Sequence, residues 1–116
     1  MAAINGHDKT VSVLLDKGAD IDAPSGLIGT ALCAAIPRGH EQVVKVLLSR
    51  GADVNAEGGA YDNALLAASI QGYEAITKLL LENGADVNAK TIRHGSALQT
   101  ASNQGHKAIV KLLLNN

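Results

Sequence analysis

One six-residue pattern recurs along the chain at a fixed interval and limits the folds that the chain can adopt. It occupies residues 18–23, 51–56 and 84–89, and the last two copies are identical, Gly-Ala-Asp-Val-Asn-Ala. Both steps are 33 residues long (51 − 18 and 84 − 51). A repeat of this length is typical of proteins in which small units stack and share one continuous core. The sequence therefore predicts a linear array of similar units.

Two further series keep the interval and mark the start and the end of a first helix in each unit. Thr30, Asn63 and Ser96 each precede an Ala-Leu pair and carry a side-chain oxygen that can accept hydrogen bonds from the free amides of a helix start. Further along, a glycine followed by histidine or tyrosine interrupts the helical pattern. The predicted first helices lie near residues 31–38, 64–71 and 97–104, after a partial one in the first five residues.

A second helix is predicted directly after each of these glycine pairs. Apolar residues recur three and four positions apart, as in Val43, Val44, Leu47 and Leu48, which places them on one helix face. Each second helix is expected to end at the glycine that opens the recurring pattern, where a left-handed residue commonly terminates a helix. The predicted second helices lie near residues 8–16, 41–49, 74–82 and 107–115.

The segment between that glycine and the next helix start is predicted to be an extended finger with turns. The three segments, 18–29, 51–62 and 84–95, are rich in Gly, Asp and Asn, and each carries a β-branched residue. The recurring aspartates are typical turn formers, and Asn55 and Asn88 fit the role of turn anchors. We expect the pattern to align each finger on the next one.

Two features depart from the regular pattern. Pro37 falls in the last turn of a predicted first helix, where it lacks an N–H and disfavours helical geometry at Ile36, so this helix is expected to end early or bend. Residue 1 aligns with the middle of a first helix and Asn116 aligns with Asn83, so we expect the chain to be a slice of a longer array. The last predicted helix keeps an apolar surface that a neighbour would cover, at Ile109, Val110, Leu112, Leu113 and Leu114.

A helix pair and a finger at this interval resemble the ankyrin repeat over essentially the whole chain. The Gly-His, Leu-Leu and Gly-Ala-Asp-Val-Asn-Ala signatures of that family are present, whereas its Thr-Pro-Leu-His becomes Thr-Ala-Leu-Cys at residues 30–33. The resemblance implies an all-α solenoid of stacked helix-turn-helix units with β-hairpin or turn fingers, about three and a half repeats long. The implied units are a partial repeat at 1–23, repeats at 24–56 and 57–89, and a C-terminally truncated repeat at 90–116.

Residues 58–65 and 97–102 also resemble a particular variant of this repeat. They read Gly-Gly-Ala-Tyr-Asp-Asn-Ala-Leu and Ala-Leu-Gln-Thr-Ala-Ser. Such sequences are abundant in filamentous fungi, often in long arrays attached to NOD-like intracellular receptors. This resemblance implies that the chain is a segment of such a receptor array.

The composition argues against several function classes. A formal net charge of −1 gives no electrostatic reason to expect nucleic acid or an anionic membrane as a partner. No apolar run reaches the ~18 residues of a membrane span, and the start lacks the charged and apolar regions of a signal peptide. A single cysteine, Cys33, excludes an intrachain disulfide and fits a reducing compartment, so we predict a cytoplasmic protein.

Candidate reactive residues recur with the repeat and do not converge on one point. His7, His40 and His106 occupy equivalent positions of the repeat. Equivalent positions on neighbouring packed helices lie ~8–10 Å apart, whereas Zn–N bonds are ~2 Å long. We predict that they cap the second helices. Cys33 has no base suitably placed beside it and is predicted to be a buried or half-buried structural thiol. The sequence therefore predicts no catalytic residues, no metal, no cofactor and no enzyme activity.

The resemblance also implies where a partner would bind. In this family the finger tips and the exposed side of the first helices line a concave groove, and the binding residues are those that the repeat does not fix. On the fingers these are Leu27, Ile28, Ala60, Tyr61, Ile92, Arg93 and His94. On the helices they are Arg38, Ile70, Gln71, Asn103 and Gln104. Tyr61 is the strongest predicted anchor, while the aliphatic finger residues could equally pack finger against finger.

These features favour a non-catalytic scaffold that presents its concave face to a protein partner. The alternative is a structural segment of a longer array or receptor that self-associates or stacks through its uncapped ends. A third class, an enzyme, would need a constellation of reactive groups that these residues do not form.

Overall fold

Pairs of short helices form the described part of the chain, which comprises residues 8–18, 20, 30–57, 63–91 and 95–116 of a computed structural model. The first helices are α2 (Ala31–Ala35), α4 (Ala64–Gln71) and α6 (Ala97–Gln104). The second helices are α1 (Asp8–Asp16), α3 (Glu41–Ser49), α5 (Glu74–Glu82) and α7 (Lys107–Leu114). Helices of one kind pack side by side along the array, α1 on α3, α3 on α5 and α5 on α7. The predicted helical solenoid is confirmed.

The predicted N-terminal caps of the first helices are confirmed. Thr30 Oγ1 accepts a hydrogen bond from the backbone N–H of Cys33 at 3.3 Å. Asn63 Oδ1 accepts one from Leu66 N–H at 2.8 Å. At Ser96 the bond is reciprocal, because Ser96 accepts from the Gln99 N–H while the Gln99 side chain accepts from the Ser96 N–H. These caps fix where each layer, meaning one helix pair with its finger, begins.

Pro37 has the effect that its position predicts. Helix α2 ends at Ala35, and the chain tightens into a 3₁₀ turn over Ile36–Arg38 that closes at Gly39, where φ is 70°. The equivalent helices α4 and α6 continue without this change. Proline lacks the N–H that donates a hydrogen bond in an α-helix interior, so the chain forms the tighter 3₁₀ turn here.

The second helices end as predicted at glycines of the recurring pattern. Gly51 and Gly84 have φ of 87° and 89°, in the left-handed region that favours glycine. The N–H of the following residue then bonds back into the last turn, from Ala52 to the Leu47 carbonyl and from Ala85 to the Leu80 carbonyl, both at 3.0 Å. The chain is thereby turned out of the helix and into the finger.

The core lies between successive layers. Its largest fully buried side chains are aliphatic and come from both helix types, as with Ile36, Leu47, Leu66, Leu80 and Ile109. Fully buried alanines at equivalent positions, Ala35, Ala68 and Ala101, allow the first helices to approach closely. Small aliphatic residues thus build a thin core that continues from one layer to the next.

The described parts of the fingers form hairpins that are tied to one another. Strands β1 (Lys90–Thr91) and β2 (Gly95–Ser96) are antiparallel, and the finger before them has an equivalent bridge between Glu57 and Asn63. Asn55 links the two fingers, because its Nδ2 donates to the Gly84 carbonyl at 3.2 Å and its Oδ1 accepts from the Asp86 N–H at 2.8 Å. The predicted alignment of one finger on the next is confirmed here.

Candidate functional site

The predicted binding face is described only on its helical side. Its finger residues, Leu27, Ile28, Ala60, Tyr61, Ile92, Arg93 and His94, lie outside the described residues. Its helical residues all lie at the C-terminal ends of the first helices or of the 3₁₀ turn. The geometry of the face therefore follows from Arg38, Ile70, Gln71, Asn103 and Gln104.

Three of these residues form a regular row. Arg38, Gln71 and Gln104 are each 33 residues apart, and all three are exposed. The segment that carries Arg38 packs on α4, and α4 packs on α6. Neighbouring packed helices lie ~8–10 Å apart, so the row runs across successive layers at that spacing. We refer to these three residues as the polar row.

The other two helical residues lie at the junction between layers. Ile70 is half-buried, and its carbonyl oxygen is 3.1 Å from His106 Nε2 of the next layer. Asn103, one interval later, is exposed. Ile70 thus takes part in holding two layers together, whereas Asn103 has no described layer beyond it.

The prediction that the repeat histidines cap the second helices is wrong for His40 and His106, whereas His7 lies outside the described residues. His40 and His106 occupy the N-cap positions of α3 and α7 but make no side-chain capping bond there. The His106 ring instead reaches back over Gly72, where an added Cβ would lie 2.8 Å from its Cε1. The His106 ring is thus directed at the preceding layer and makes no capping bond to its own helix start.

Tyr73 makes the same contact one layer earlier. Its hydroxyl donates to the Pro37 carbonyl at 3.3 Å, and an added Cβ at Gly39 would lie 3.3 Å from its Cζ. Each first helix leaves its last carbonyls without an intrahelical donor, and the ring from the next layer satisfies one of them. We call this contact the ring-glycine junction.

The regular spacing of these junctions agrees with the sequence comparison. A family model described as ankyrin repeats (3 copies) matches residues 1–58 and 57–116, and so the whole chain. The chain belongs to the ankyrin-repeat family. No curated protein matches it. Ankyrin repeats are generally protein–protein interaction modules and are typically non-catalytic.

Cys33 is a buried thiol in this ankyrin array, as predicted. Its Sγ lies 3.8 Å from the Ala56 carbonyl oxygen, to which it can donate. Burial raises the pKa of the Cys33 thiol, and the hydrogen bond with Thr30 only partly offsets this effect. Because the thiolate is the reactive form, the thiol is a poor nucleophile at neutral pH.

The described part of the array holds no group of three or more His, Cys, Asp or Glu side chains that could bind a metal ion. Of its helices, none combines the length and the apolar character that crossing a bilayer requires.

A second surface, at the C-terminal end of the ankyrin array, was only partly predicted from the sequence. Of the apolar residues expected there, Ile109 and Leu113 are buried, whereas Leu114 is 68% exposed. One depression of about 350 Å³ runs along α7 past Gly105, Val110 and Leu114. Another of about 530 Å³ lies on α6 and is lined by Leu98, Gln99, Ser102 and Asn103. Together they form what we call the end face.

The α6 side of the end face is the part that sequence reasoning missed. Alignment of the repeats could have revealed it. Leu98, Gln99 and Ser102 align with Leu65, Leu66 and Ser69 of the preceding repeat, which are all buried. On its α6 side the end face therefore presents positions that the preceding repeat buries.

Proposed function

We propose that this ankyrin array is a non-catalytic scaffold that binds a protein partner through the concave face of its finger tips and first helices. The exposed polar row carries the proposal, because Arg38, Gln71 and Gln104 repeat in position while the core positions around them are buried. The family supports the general function, since ankyrin repeats are interaction modules.

The chemistry of the polar row suits recognition of polypeptide. The guanidinium of Arg38 can pair with a carboxylate in a forked geometry, and the amides of Gln71 and Gln104 can both donate to and accept from a peptide backbone. Gln71 and Gln104 lie on capped helices, and Arg38 lies on the 3₁₀ turn that continues one. The backbone of these residues is already ordered, so little backbone entropy is lost when a partner binds. The finger residues, with Tyr61 as anchor, would supply the apolar part of the same groove.

The absence of catalysis is supported by the state of the one thiol. Cys33 is buried and its pKa is raised, so it is held in its unreactive form. A free cysteine also fits a reducing compartment, and we propose a cytoplasmic location on that ground. Turnover that depends on Cys33 or on a histidine would contradict this assignment.

We also propose that the chain is a segment of the fungal type of ankyrin array that is attached to NOD-like receptors. Residues 58–65 and 97–102 support this kinship. The gene sequence on both sides of the 116 residues tests it, because further repeats of the same type and a receptor domain are expected there.

Two matched triple variants test the concave face. Changing Arg38, Gln71 and Gln104 to Glu places acidic groups along the polar row. The control changes Gln42, Ala75 and Ala108 to Glu, which puts acidic groups on an exposed row of the second helices at the same interval. Proteins that bind the immobilised wild type are expected to be lost with the first variant and kept with the control.

Two further results complete this test. Tyr61→Ala is expected to weaken the same binding without changing helicity or melting temperature. If the bound proteins are indifferent to both the polar row and Tyr61, the concave face is not the binding site.

The second candidate function is assembly through the uncapped ends. One observation favours it, namely that Leu114 is 68% exposed, whereas its equivalents in the two preceding layers are half-buried (Leu81) and 8% exposed (Leu48). Appending one consensus repeat after residue 116 tests this function. The extended chain is expected to melt at a higher temperature, because the added layer would bury Leu114. An unchanged melting temperature would count against assembly.

A further inference from the structure

The polar row is exposed on layers that have a neighbour on each side. The layer of Arg38, with α2 and α3, lies between α1 and the pair α4 and α5. The layer of Gln71, with α4 and α5, lies between that layer and the pair α6 and α7. Ala35 and Ala68, three residues before these two side chains, are fully buried. The exposure of the row is thus a property of interior repeats.

The spacing of the polar row matches a polyproline II helix. This helix has about three residues per turn and rises ~3.1 Å per residue, so every third residue faces the same side about 9.3 Å further on. Successive members of the row are ~8–10 Å apart. In a β-strand, residues on one face recur every second position, at about 6.6 Å and then about 13 Å. The row therefore fits the three-residue period and not the two-residue period.

The chemistry of the polar row also suits a polyproline II backbone. Such a segment makes no internal hydrogen bonds, so its carbonyls are free to accept from the side-chain amides of Gln71 and Gln104. The half-buried Pro37 and Ile70 directly precede two members of the row and add apolar surface on which proline rings can pack. An α-helix uses its carbonyls internally and docks through an apolar face, which the row does not complement.

Arg38 gives the polar row one charged end. Neither of the ion pairs formed by the described residues involves this side chain. Its backbone belongs to the 3₁₀ turn, and the Tyr73 hydroxyl holds that turn through the Pro37 carbonyl. An exposed guanidinium on an ordered backbone can bind a carboxylate in a forked geometry. The ligand that complements the row therefore carries an acidic group at one end.

We propose that the concave face binds a polyproline II segment of about seven residues that has an Asp or Glu at one end. This inference rests on the scaffold function proposed above and specifies the class of its partner. The carboxylate pairs with Arg38, and the carbonyls three and six residues further along accept from Gln71 and Gln104. The segment thus lies across three layers of the array.

Titration of the ¹⁵N-labelled chain with synthetic peptides, followed by NMR, tests the proposal. The probes are nine-residue oligoprolines with one glutamate, at the second or at the eighth residue, so that both directions along the row are covered. At least one probe should shift the side-chain amide signals of Gln71 and Gln104. The same peptide with alternate prolines replaced by glycine should bind about tenfold more weakly or worse, because its unbound state is far less restricted.

Variants of the polar row test the assigned contacts. Arg38→Gln should weaken binding of the glutamate probe about three- to tenfold and have little effect on a probe with glutamine in place of glutamate. Lys45→Gln is the matched control, since it removes the same charge from an exposed residue on the second helix of the same layer. It should bind as the wild type does. Gln71→Ala should weaken binding of both probes about two- to tenfold.

A further variant tests the three-residue period. Gln71→Arg places a second guanidinium one layer away from Arg38. This chain should bind a proline peptide with two glutamates three residues apart more tightly than peptides with the glutamates two or four residues apart. A preference for two or four would indicate a β-strand and would overturn the proposal.

Two other results would also overturn it. They are unchanged amide signals of Gln71 and Gln104 with both glutamate probes, and equal binding of the glycine-substituted peptide. The scaffold function is judged separately, by the proteins that bind the immobilised wild type. If these are lost when the row is changed to Glu although no proline probe binds, the concave face stands and only the polyproline II class of partner is excluded.

Discussion

The imidazole of His106 occupies the space beside Gly72 that a side chain at residue 72 would need. An added Cβ would lie 2.8 Å from His106 Cε1 and 2.9 Å from Nδ1. Glycine is therefore required at residue 72 for two reasons, its left-handed φ of 76° and the ring beside it. Gly105 shares only the first reason, because its φ is 75° and nothing lies within 4 Å of its Cβ position.

Gly72→Ala is expected to destabilise the protein more than Gly105→Ala. Both variants place an L-residue in the left-handed region, which costs ~1–2 kcal/mol. Only Gly72→Ala also displaces the His106 ring, which adds ~1–3 kcal/mol of overpacking. Urea unfolding measures the loss of stability of each variant. Equal losses would show that the His106 ring moves aside at no cost in free energy.

His106→Ala is expected to lower the free energy of unfolding by ~1–3 kcal/mol, because the Ile70 carbonyl loses its donor and a ring is removed from the junction. His106→Tyr should retain most of the stability, since Tyr73 already makes the equivalent bond to Pro37 at 3.3 Å. Thermal unfolding of the two variants provides the comparison. A tyrosine variant as unstable as the alanine variant would contradict the equivalence of the two rings.

Asn55→Ala is expected to destabilise the protein by ~1–3 kcal/mol, since it removes both bonds to the next finger and leaves the Gly84 carbonyl and the Asp86 N–H without that partner. Asn88→Ala is the matched control, because Asn88 stands in the last copy of the pattern and no fourth copy follows within the 116 residues. Its expected loss is smaller. Urea midpoints of the two variants measure these losses of stability. Equal losses would argue against a role of Asn55 in linking the fingers.

The buried thiol predicts a specific pH dependence. Burial raises the pKa of Cys33 in the folded state, so above the pKa of the unfolded thiol, about 8.5, the folded state binds more protons than the unfolded state. Stability from this group is fully present below that pH and is lost as the pH rises through the folded-state pKa. Urea midpoints from pH 7 to pH 10 should fall more steeply for the wild type than for Cys33→Ala. Parallel plots of urea midpoint against pH for the two proteins would contradict this effect of the Cys33 thiol.

The features that local chemistry determines could be predicted from the sequence. A side-chain oxygen at Thr30, Asn63 or Ser96 can satisfy amides only two or three residues away, so the start of each first helix is visible in a short window. The same holds for Gly51 and Gly84, which end helices by their own backbone conformation. These local rules, repeated at one interval, were sufficient for the fold.

The contacts between layers could not be predicted from a short window of sequence. The partner of His106 is a carbonyl 36 residues earlier, so a window around Gly105 suggests a cap and hides the actual bond. The α6 side of the end face was missed for a related reason, since Gln99 looks like an ordinary capping-box residue until it is compared with the buried Leu66. For the finger residues around Tyr61, the predicted site stays a prediction.

The ring-glycine junction has a consequence for how the length of such an array can change. Tyr73 and His106 use different rings to make the same contact, and each ring reaches into the layer before it. A gene can therefore gain or lose whole 33-residue cassettes in frame, and every remaining boundary still finds a glycine on one side and a ring on the other. Recombination can therefore change the number of repeats without requiring a new kind of contact between layers.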